Sequence, residues 1–251
     1  MIKFFWRIFQ FCLRNCSNER VVQLEKIQRG IILSVQLEPT DPITDPCFVL
    51  SMAKIAESVG AVAIRTNGRE HVKILKGKIN IPIIGLVKNR AYEAYITPTF
   101  EDVKEVVSAG CDVVAIDCTR RKRPVPVEDL FSMVRTRFPH VEIIADIADE
   151  FDAERVLPLK PDYLATTLSG YTDYTKNVKL PNIELVKRLS SFSPVPVIAE
   201  GGYSNEEEIT QALIAGAYAV VVGTAITRPW IMLSKLVETF RSTNGSRSEK
   251  R

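Results

Sequence analysis

Between residues 30 and 226 the chain alternates two hydrophobic rhythms. Short, β-branched runs recur at GIILSVQ (30–36), AVAIRTN (61–67), IPIIGLVK (81–88), CDVVAIDC (111–118), VEIIADIA (141–148), PDYLATTLS (161–169), VPVIAEGG (195–202) and YAVVVGTAI (218–226). Such runs are near-continuously apolar and too short for helices, which predicts strands buried on both faces. Between them PCFVLSMAKIAESVG (46–60), TFEDVKEVVSAG (99–110), PVEDLFSMVRTRF (126–138) and SNEEEITQALIAGA (204–217) show helical spacing. Several of these helical stretches open on a Ser, Thr or Asp cap and close at a glycine. Eight strand–helix units predict an α/β fold, a single (β/α)₈ TIM barrel over residues 26–241. A doubly wound open sheet is the alternative arrangement of the same units. No strand is followed by GxGxxG, so its dinucleotide-binding form has no support.

In a closed parallel barrel the chemistry gathers at the C-terminal ends of the strands. Those ends read Gln36, Arg65, Lys88, Asp117, Asp146, Thr167, Glu200 and Gly223. Any one of them alone has a plain explanation as a solvated strand end. Five ionisable groups converging on one mouth do not, because an unpaired buried charge costs several kcal/mol. They must pair with one another or with a charged ligand.

Strand seven ends in Gly201-Gly202 and strand eight in Gly223-Thr224, with Arg228 following. Glycines let backbone N–H groups approach an anion, Thr224 adds a hydroxyl, and arginine adds a forked cation. Both loops therefore read as a phosphate cradle, the alternative being tight turns only. Tyr203, after the double glycine, either caps that cradle or begins the next helix. Lys88 and Glu200 each leave an apolar wall for the mouth. Burial and a neighbouring cation lower a lysine pKa, and burial raises that of a carboxyl, which suits proton transfer at one carbon. The same two residues read otherwise as a salt bridge closing the barrel top.

Composition narrows the choices. A net charge of +3, with the basic residues spread out, carries no nucleic-acid footprint. The basic run RRKRP (120–124) reads as a solvated loop, with one arginine available to an anionic substrate. Only His71 and His140 are present, both outside the strand ends, so no metal is expected. Five cysteines, three in or beside apolar runs, suit reduced thiols in the cytoplasm. Residues 1–25, beginning MIKFFWRIFQFCLRN, are too short and too interrupted by charge to span a bilayer, and lack a signal-peptide cleavage site. They read as an N-terminal helical extension packed on the domain or as a frayed tail. A basic amphipathic helix on a membrane surface is the other reading, and membrane association is not expected. Residues 242–251, STNGSRSEKR, are polar and expected to be disordered.

Taken together, GIILSVQ, AIRTNG, IPIIGLVK, AIDCTRRKRP, IIADIA, ATTLSGYT, VIAEGG and VVVGTAITRP resemble the N-acetylmannosamine-6-phosphate 2-epimerase family over roughly residues 25 to 240. That family is a (β/α)₈ barrel of bacterial sialic-acid degradation, working without metal or redox cofactor. The resemblance implies an isomerase that interconverts N-acetylmannosamine-6-phosphate and N-acetylglucosamine-6-phosphate at carbon 2. It implies Lys88 and Glu200 as the catalytic pair, with Arg65 and Asp146 holding substrate and tuning the pair. Gln36 would contact the sugar, joined by Thr167 and Ser169 of TTLSGYT. Gly201, Gly202, Gly223, Thr224 and Arg228 would bind phosphate. A sugar phosphate is the expected partner, and a homodimer the expected assembly. The chain departs from the family after strand one, where SVQLEPTDPITDP is longer and more acidic and Val35 replaces a common cysteine. Two other readings of the same residues stand beside the epimerase: a class I aldolase forming a Schiff base at Lys88, and a barrel that binds a phosphosugar without catalysis.

Overall fold

The computed structural model describes residues 26–248. Eight parallel strands close into one barrel in sequence order: β1 (Gly30–Val35), β2 (Ala63–Asn67), β3 (Ile83–Leu86), β4 (Val113–Asp117), β5 (Glu142–Asp146), β6 (Tyr163–Ala165), β7 (Val197–Ala199) and β8 (Ala219–Val222). Closure by β1–β8 pairing, Gly30 to Ala219 through Leu33 to Val222, excludes the open doubly wound sheet. Outside lie α1 (Pro46–Ser58), α2 (Arg69–Leu75), α3 (Phe100–Ala109), α4 (Val127–Arg137), α5 (Glu150–Val156), α6 (Ile183–Phe192), α7 (Glu206–Ile214), α8 (Thr224–Thr227) and α9 (Pro229–Ser248). The helix starts follow local chemistry. Asp45 caps α1 ahead of Pro46, Thr99 and Asp102 form a reciprocal capping box on α3, and the Asn205 side chain accepts from Glu208 N–H on α7.

Successive strand residues face opposite sides, so each strand contributes to two cores. Ile64, Ile83, Val114, Ile143, Leu164, Val197 and Val220 belong to the layer between sheet and helices. Their neighbours Ala63, Ile84, Val113, Ile144, Tyr163, Ile198 and Ala219 fill the barrel interior. Counting on by two from these inner residues reaches Arg65, Lys88, Asp117, Asp146, Thr167, Glu200 and Gly223. The alternation that fills the interior with aliphatic side chains thus carries the polar residues of all these strands inward at the top. The opposite end is plugged: Ile27 N–H donates to Tyr163 Oη at 3.1 Å, and Tyr163 Oη–H donates to Glu142 Oε2 at 3.0 Å.

Residues 1–25 and their expected helical extension lie outside the described residues. α9 runs through Ser248, so the polar segment from 242, expected to be disordered, is helical up to that residue. Pro229 stands in the first turn of α9, where its missing N–H leaves no helical bond unmade. Cys111 and Cys118 are buried as free thiols, as the apolar runs suggest, but Cys47 is exposed at the start of α1. No helix among the described residues is long and apolar enough to cross a membrane.

Ile144, 1% exposed inside the barrel, tests this packing. Ile144→Ala is expected to lower unfolding free energy by about 2–5 kcal/mol in urea denaturation; a loss well under 1 kcal/mol would contradict a filled interior.

Candidate active site

The mouth of the barrel opens on a cavity of ≈ 420 Å³, inside the usual range for small-molecule sites. Its floor is set by Arg65 on β2, only 1% exposed. A buried guanidinium stays charged and must be matched. Asp146 at the end of β5 does so with both oxygens: Nη1 donates to Oδ1 at 3.1 Å and Nη2 to Oδ2 at 2.6 Å. Arg65 Nη1 also lies 3.2 Å from Glu200 Oε2. Burial opposes the charge on Arg65, but Asp146 and Glu200 outweigh it and hold the guanidinium firmly protonated.

Glu200 shares that cation with an acid already bound to it. Burial pushes its carboxyl up to about 7, Arg65 pulls it back, and the charge of Asp146 raises it further. Two threonines hold it in place. Thr167 Oγ1 lies 2.6 Å from Asp146 Oδ1 and 3.1 Å from Glu200 Oε2, bridging the acids. Thr166 Oγ1 receives Glu200 N–H at 2.9 Å and lies 2.8 Å from its carbonyl oxygen, fixing the backbone after β7.

Lys88 extends β3 by two residues. Its N–H donates to Asn67 Oδ1 at 2.9 Å, and it pairs antiparallel with Ile96, which folds the intervening loop back over the mouth. Burial pushes the Lys88 ammonium pKa down; Glu38 opposes this, and Arg228 and Arg90 add to it. Its Nζ donates to Glu38 Oε1 at 2.6 Å. Lys88 and Glu200 therefore line one cavity without forming the salt bridge that would merely close the barrel top: each has another partner.

The glycine-rich side is built for close approach. Gly201 and Gly202 have φ of 111° and 87°, and a Cβ on Gly202 would meet Leu180 Cβ at 2.9 Å. Among the described residues nothing accepts from the N–H of either glycine. Gly223, Thr224, Ala225 and Arg228 continue the wall, and Thr227 ties α8 to β1 by donating to the Ser34 carbonyl at 2.9 Å. Arg228 donates to Asp41 Oδ2 at 2.6 Å.

Gln36, Arg65, Lys88, Thr167, Glu200, Gly201, Gly202, Gly223, Thr224 and Arg228 thus meet around one space. Asp146 and Ser169 do not. Asp146 is fully buried behind Arg65 and reaches the cavity only through it. Ser169 is buried too, its Oγ accepting from Asn182 Nδ2 at 2.9 Å; the chain has already turned outward after Thr167. Asp117 points inward but is taken up by Arg121 and Thr119. The arginines of RRKRP are tied down as well, Arg120 by Asp149 and Asp152, and none lines the cavity. Tyr203 lines the cavity beside the two glycines while it also packs in the layer between helices and sheet, and α7 begins only at Glu206. Tyr95 and Tyr171 line the cavity without any preceding strand signal; loop folding alone delivers them. Glu38 and Asp41, which take up the two cations, sit in the acidic segment after β1.

The Glu200 environment has a measurable consequence for stability. Its folded pKa, about 7, exceeds the ordinary 4.5, so the folded protein holds a proton that the unfolded chain releases. That contribution is fully present below pH 4.5 and is lost as pH rises through 7. Glu200→Gln stays neutral at all pH. Its stability relative to wild type is expected to improve by on the order of 3 kcal/mol across that window in pH-dependent urea melts. A difference independent of pH would contradict the raised carboxyl.

With this geometry in place, comparisons with known proteins converge. A family model described as "Putative N-acetylmannosamine-6-phosphate epimerase" matches residues 49–242. A relative from Caldanaerobacter subterraneus subsp. tengcongensis, named "Putative N-acetylmannosamine-6-phosphate 2-epimerase", is 43% identical over 210 residues, covering 82% of this chain and 89% of its own. One of the same name from Listeria welshimeri serovar 6b is 34% identical over 230 residues, covering 89% and 98%. The solved N-acetylmannosamine-6-phosphate 2-epimerase from Clostridium perfringens superposes with a TM-score of 0.80 at 34% identity, over 85% of this chain and 94% of its own. The chain belongs to the N-acetylmannosamine-6-phosphate epimerase family.

Proposed function

We propose that this chain is an isomerase that interconverts N-acetylmannosamine-6-phosphate and N-acetylglucosamine-6-phosphate by moving the proton on carbon 2, in amino-sugar and sialic-acid degradation. The observation that carries the reading is the pairing of Lys88 and Glu200 around one cavity, the lysine pKa pushed down by burial and the carboxyl pushed up to about 7. A base and an acid so tuned can exchange a proton with carbon at neutral pH.

In the open-chain sugar the carbon-2 proton lies beside the carbon-1 aldehyde, which acidifies it. Neutral Lys88 takes that proton, and the electron pair of the broken C–H bond passes into the aldehyde to give an enolate that keeps the acetamido group on carbon 2. Protonated Glu200 returns a proton to carbon 2 from the other face and is left as carboxylate. The ammonium and the carboxylate then re-equilibrate with water, or run the reaction backward. Arg65 supplies a fixed positive charge beside the enolate oxygen at no reorganisation cost. The phosphate, held by the glycine N–H groups, Thr224 and Arg228, contributes binding energy far from the reacting carbon and so positions it. Gln36 and Thr167 meet the sugar; Asp146 acts through Arg65. No step calls on a metal or a redox cofactor.

The cytoplasm is the compartment that suits this substrate, since a doubly charged sugar phosphate is retained there. The assembly we propose is a homodimer. α9 exposes Leu233, Leu236, Val237 and Phe240, spaced as one helical stripe. Leu236 and Phe240 are each 67% exposed, which a second copy would correct. Light scattering on the eluting protein is expected to give twice the chain mass, and Leu236→Glu with Phe240→Glu to shift it toward the monomer. A wild-type monomer at working concentration would refute this assembly.

The activity test is carbon-2 exchange. In deuterated water, N-acetylmannosamine-6-phosphate is expected to acquire deuterium at carbon 2 while converting to the gluco epimer. Lys88→Ala is expected to lose roughly 10²–10⁴ of that rate, the usual worth of a positioned acid or base. Near-normal epimerisation by Lys88→Ala would sink the assignment. Borohydride trapping of substrate on Lys88 would support a Schiff-base aldolase instead.

A further inference from the structure

The turn Glu38-Pro39-Thr40-Asp41 follows β1 and closes on itself. Asp41 N–H donates to the Glu38 carbonyl at 3.0 Å, and Glu38 N–H donates to Asp41 Oδ2 at 2.8 Å. From its two corners the turn presents acids to two cations of the cavity wall. Glu38 Oε1 lies 2.6 Å from Lys88 Nζ and 3.2 Å from Arg90 Nη2, and Asp41 Oδ2 lies 2.6 Å from Arg228 Nη2. Neither acid lines the cavity. One short turn, outside the reaction space, therefore grips the lysine after β3 and the arginine after β8.

Exposed ion pairs do little, but Glu38 and Lys88 are each only 17% exposed, and their contact lies at the reacting end of the lysine. The ammonium donates one of its three N–H groups to Glu38, which fixes the direction of the others. The charged groups around Lys88 are Glu38, Arg90 on its own loop and Arg228 after β8, with Arg65 from β2, Glu200 after β7 and Lys235 of α9 lining the same cavity. The cations drive the proton off the lysine and the acids hold it on; of the acids, Glu38 is in direct contact. Glu38 is itself held ionised: burial works against its charge, but Lys88 and Arg90 outweigh it.

Resting on the epimerase reading, we propose that Glu38 is a positioning residue for the reaction: through the turn anchored by Asp41 on Arg228, it aims the Lys88 amino group into the cavity and governs when that group is free to accept the carbon-2 proton. Glu38 touches no substrate. It lies in the turn directly after β1.

The test reads Lys88 twice, once without any substrate. Acetic anhydride labelling of the intact protein, followed by mass spectrometry across pH, reports the midpoint at which Lys88 becomes a free amine. Carbon-2 deuterium exchange across pH reports the acidic limb of the reaction. Glu38→Gln removes the charge but keeps the shape. It is expected to move the labelling midpoint down by about one pH unit or more, the usual effect of a carboxylate in contact. The acidic limb should move with it, so that exchange on the acid side, relative to plateau, rises roughly tenfold for each pH unit the midpoint falls. The plateau kcat should fall roughly ten- to a hundredfold because the amine is no longer aimed, with KM changing less. Glu38→Asp should restore part of both. If Glu38→Gln does not fold, Glu38→Asp and Asp41→Asn carry the same comparison, each with a smaller downward displacement. An unmoved labelling midpoint overturns the proposal, even where kcat falls. A displaced midpoint in a protein that catalyses no carbon-2 exchange overturns the epimerase reading while upholding the hold of Glu38 on Lys88.

Discussion

A guanidinium buried at the centre of the mouth constrains everything around it. Arg65 cannot give up its proton, and at 1% exposure it has almost no water. Asp146 satisfies it with two oxygens, which uses the charge once. Glu200 then arrives 3.2 Å away, beside a cation already matched by another acid. Burial pushes the Glu200 carboxyl up to about 7, and the one cation, already shared with Asp146, does not bring it back down. The capacity of the site to hold a transferable proton is thus a consequence of how the buried arginine is neutralised. Removing either Arg65 or Asp146 would change the chemistry of Glu200 without touching it.

The other side of the cavity reverses the arrangement. Lys88, Arg90 and Arg228 bring an excess of positive charge, and the turn after β1 answers it with Glu38 and Asp41. A carboxyl short of cations therefore stands opposite a lysine crowded by them, and the substrate space lies between. Gly201, Gly202, Gly223 and Thr224 line the same cavity as Arg65, Lys88 and Arg228.

Much of this was legible because strand alternation is strict. Once AIRTN, IPIIGLVK and VIAE are recognised as strands, parity alone sends Arg65, Lys88 and Glu200 to the same side as the aliphatic interior. What was not legible lay beyond the last paired residue of a strand. Ser169 shares the parity of Thr167, but the backbone turns between them, so it ends on Asn182. Asp146 sits at a strand end yet is covered by the longer side chain of Arg65. Glu38 showed only as an acid in an unusually acidic loop, and its contact with a lysine fifty positions later depends on how that loop folds. Tyr95 reaches the cavity because Lys88 pairs with Ile96, a single bridge with no periodic signature.

The amino-acid sequence by itself determined the eight-strand barrel, the mouth where its polar residues collect, and the inward direction of Lys88 and Glu200, because hydrophobic periodicity and strand parity are local properties. The tertiary structure decided which charge pairs with which. That choice depends on distances of a few ångströms between loops far apart in the chain, and on burial that strengthens each pairing. It assigned Asp146 to Arg65, left Glu200 short of a cation, and gave Lys88 to Glu38.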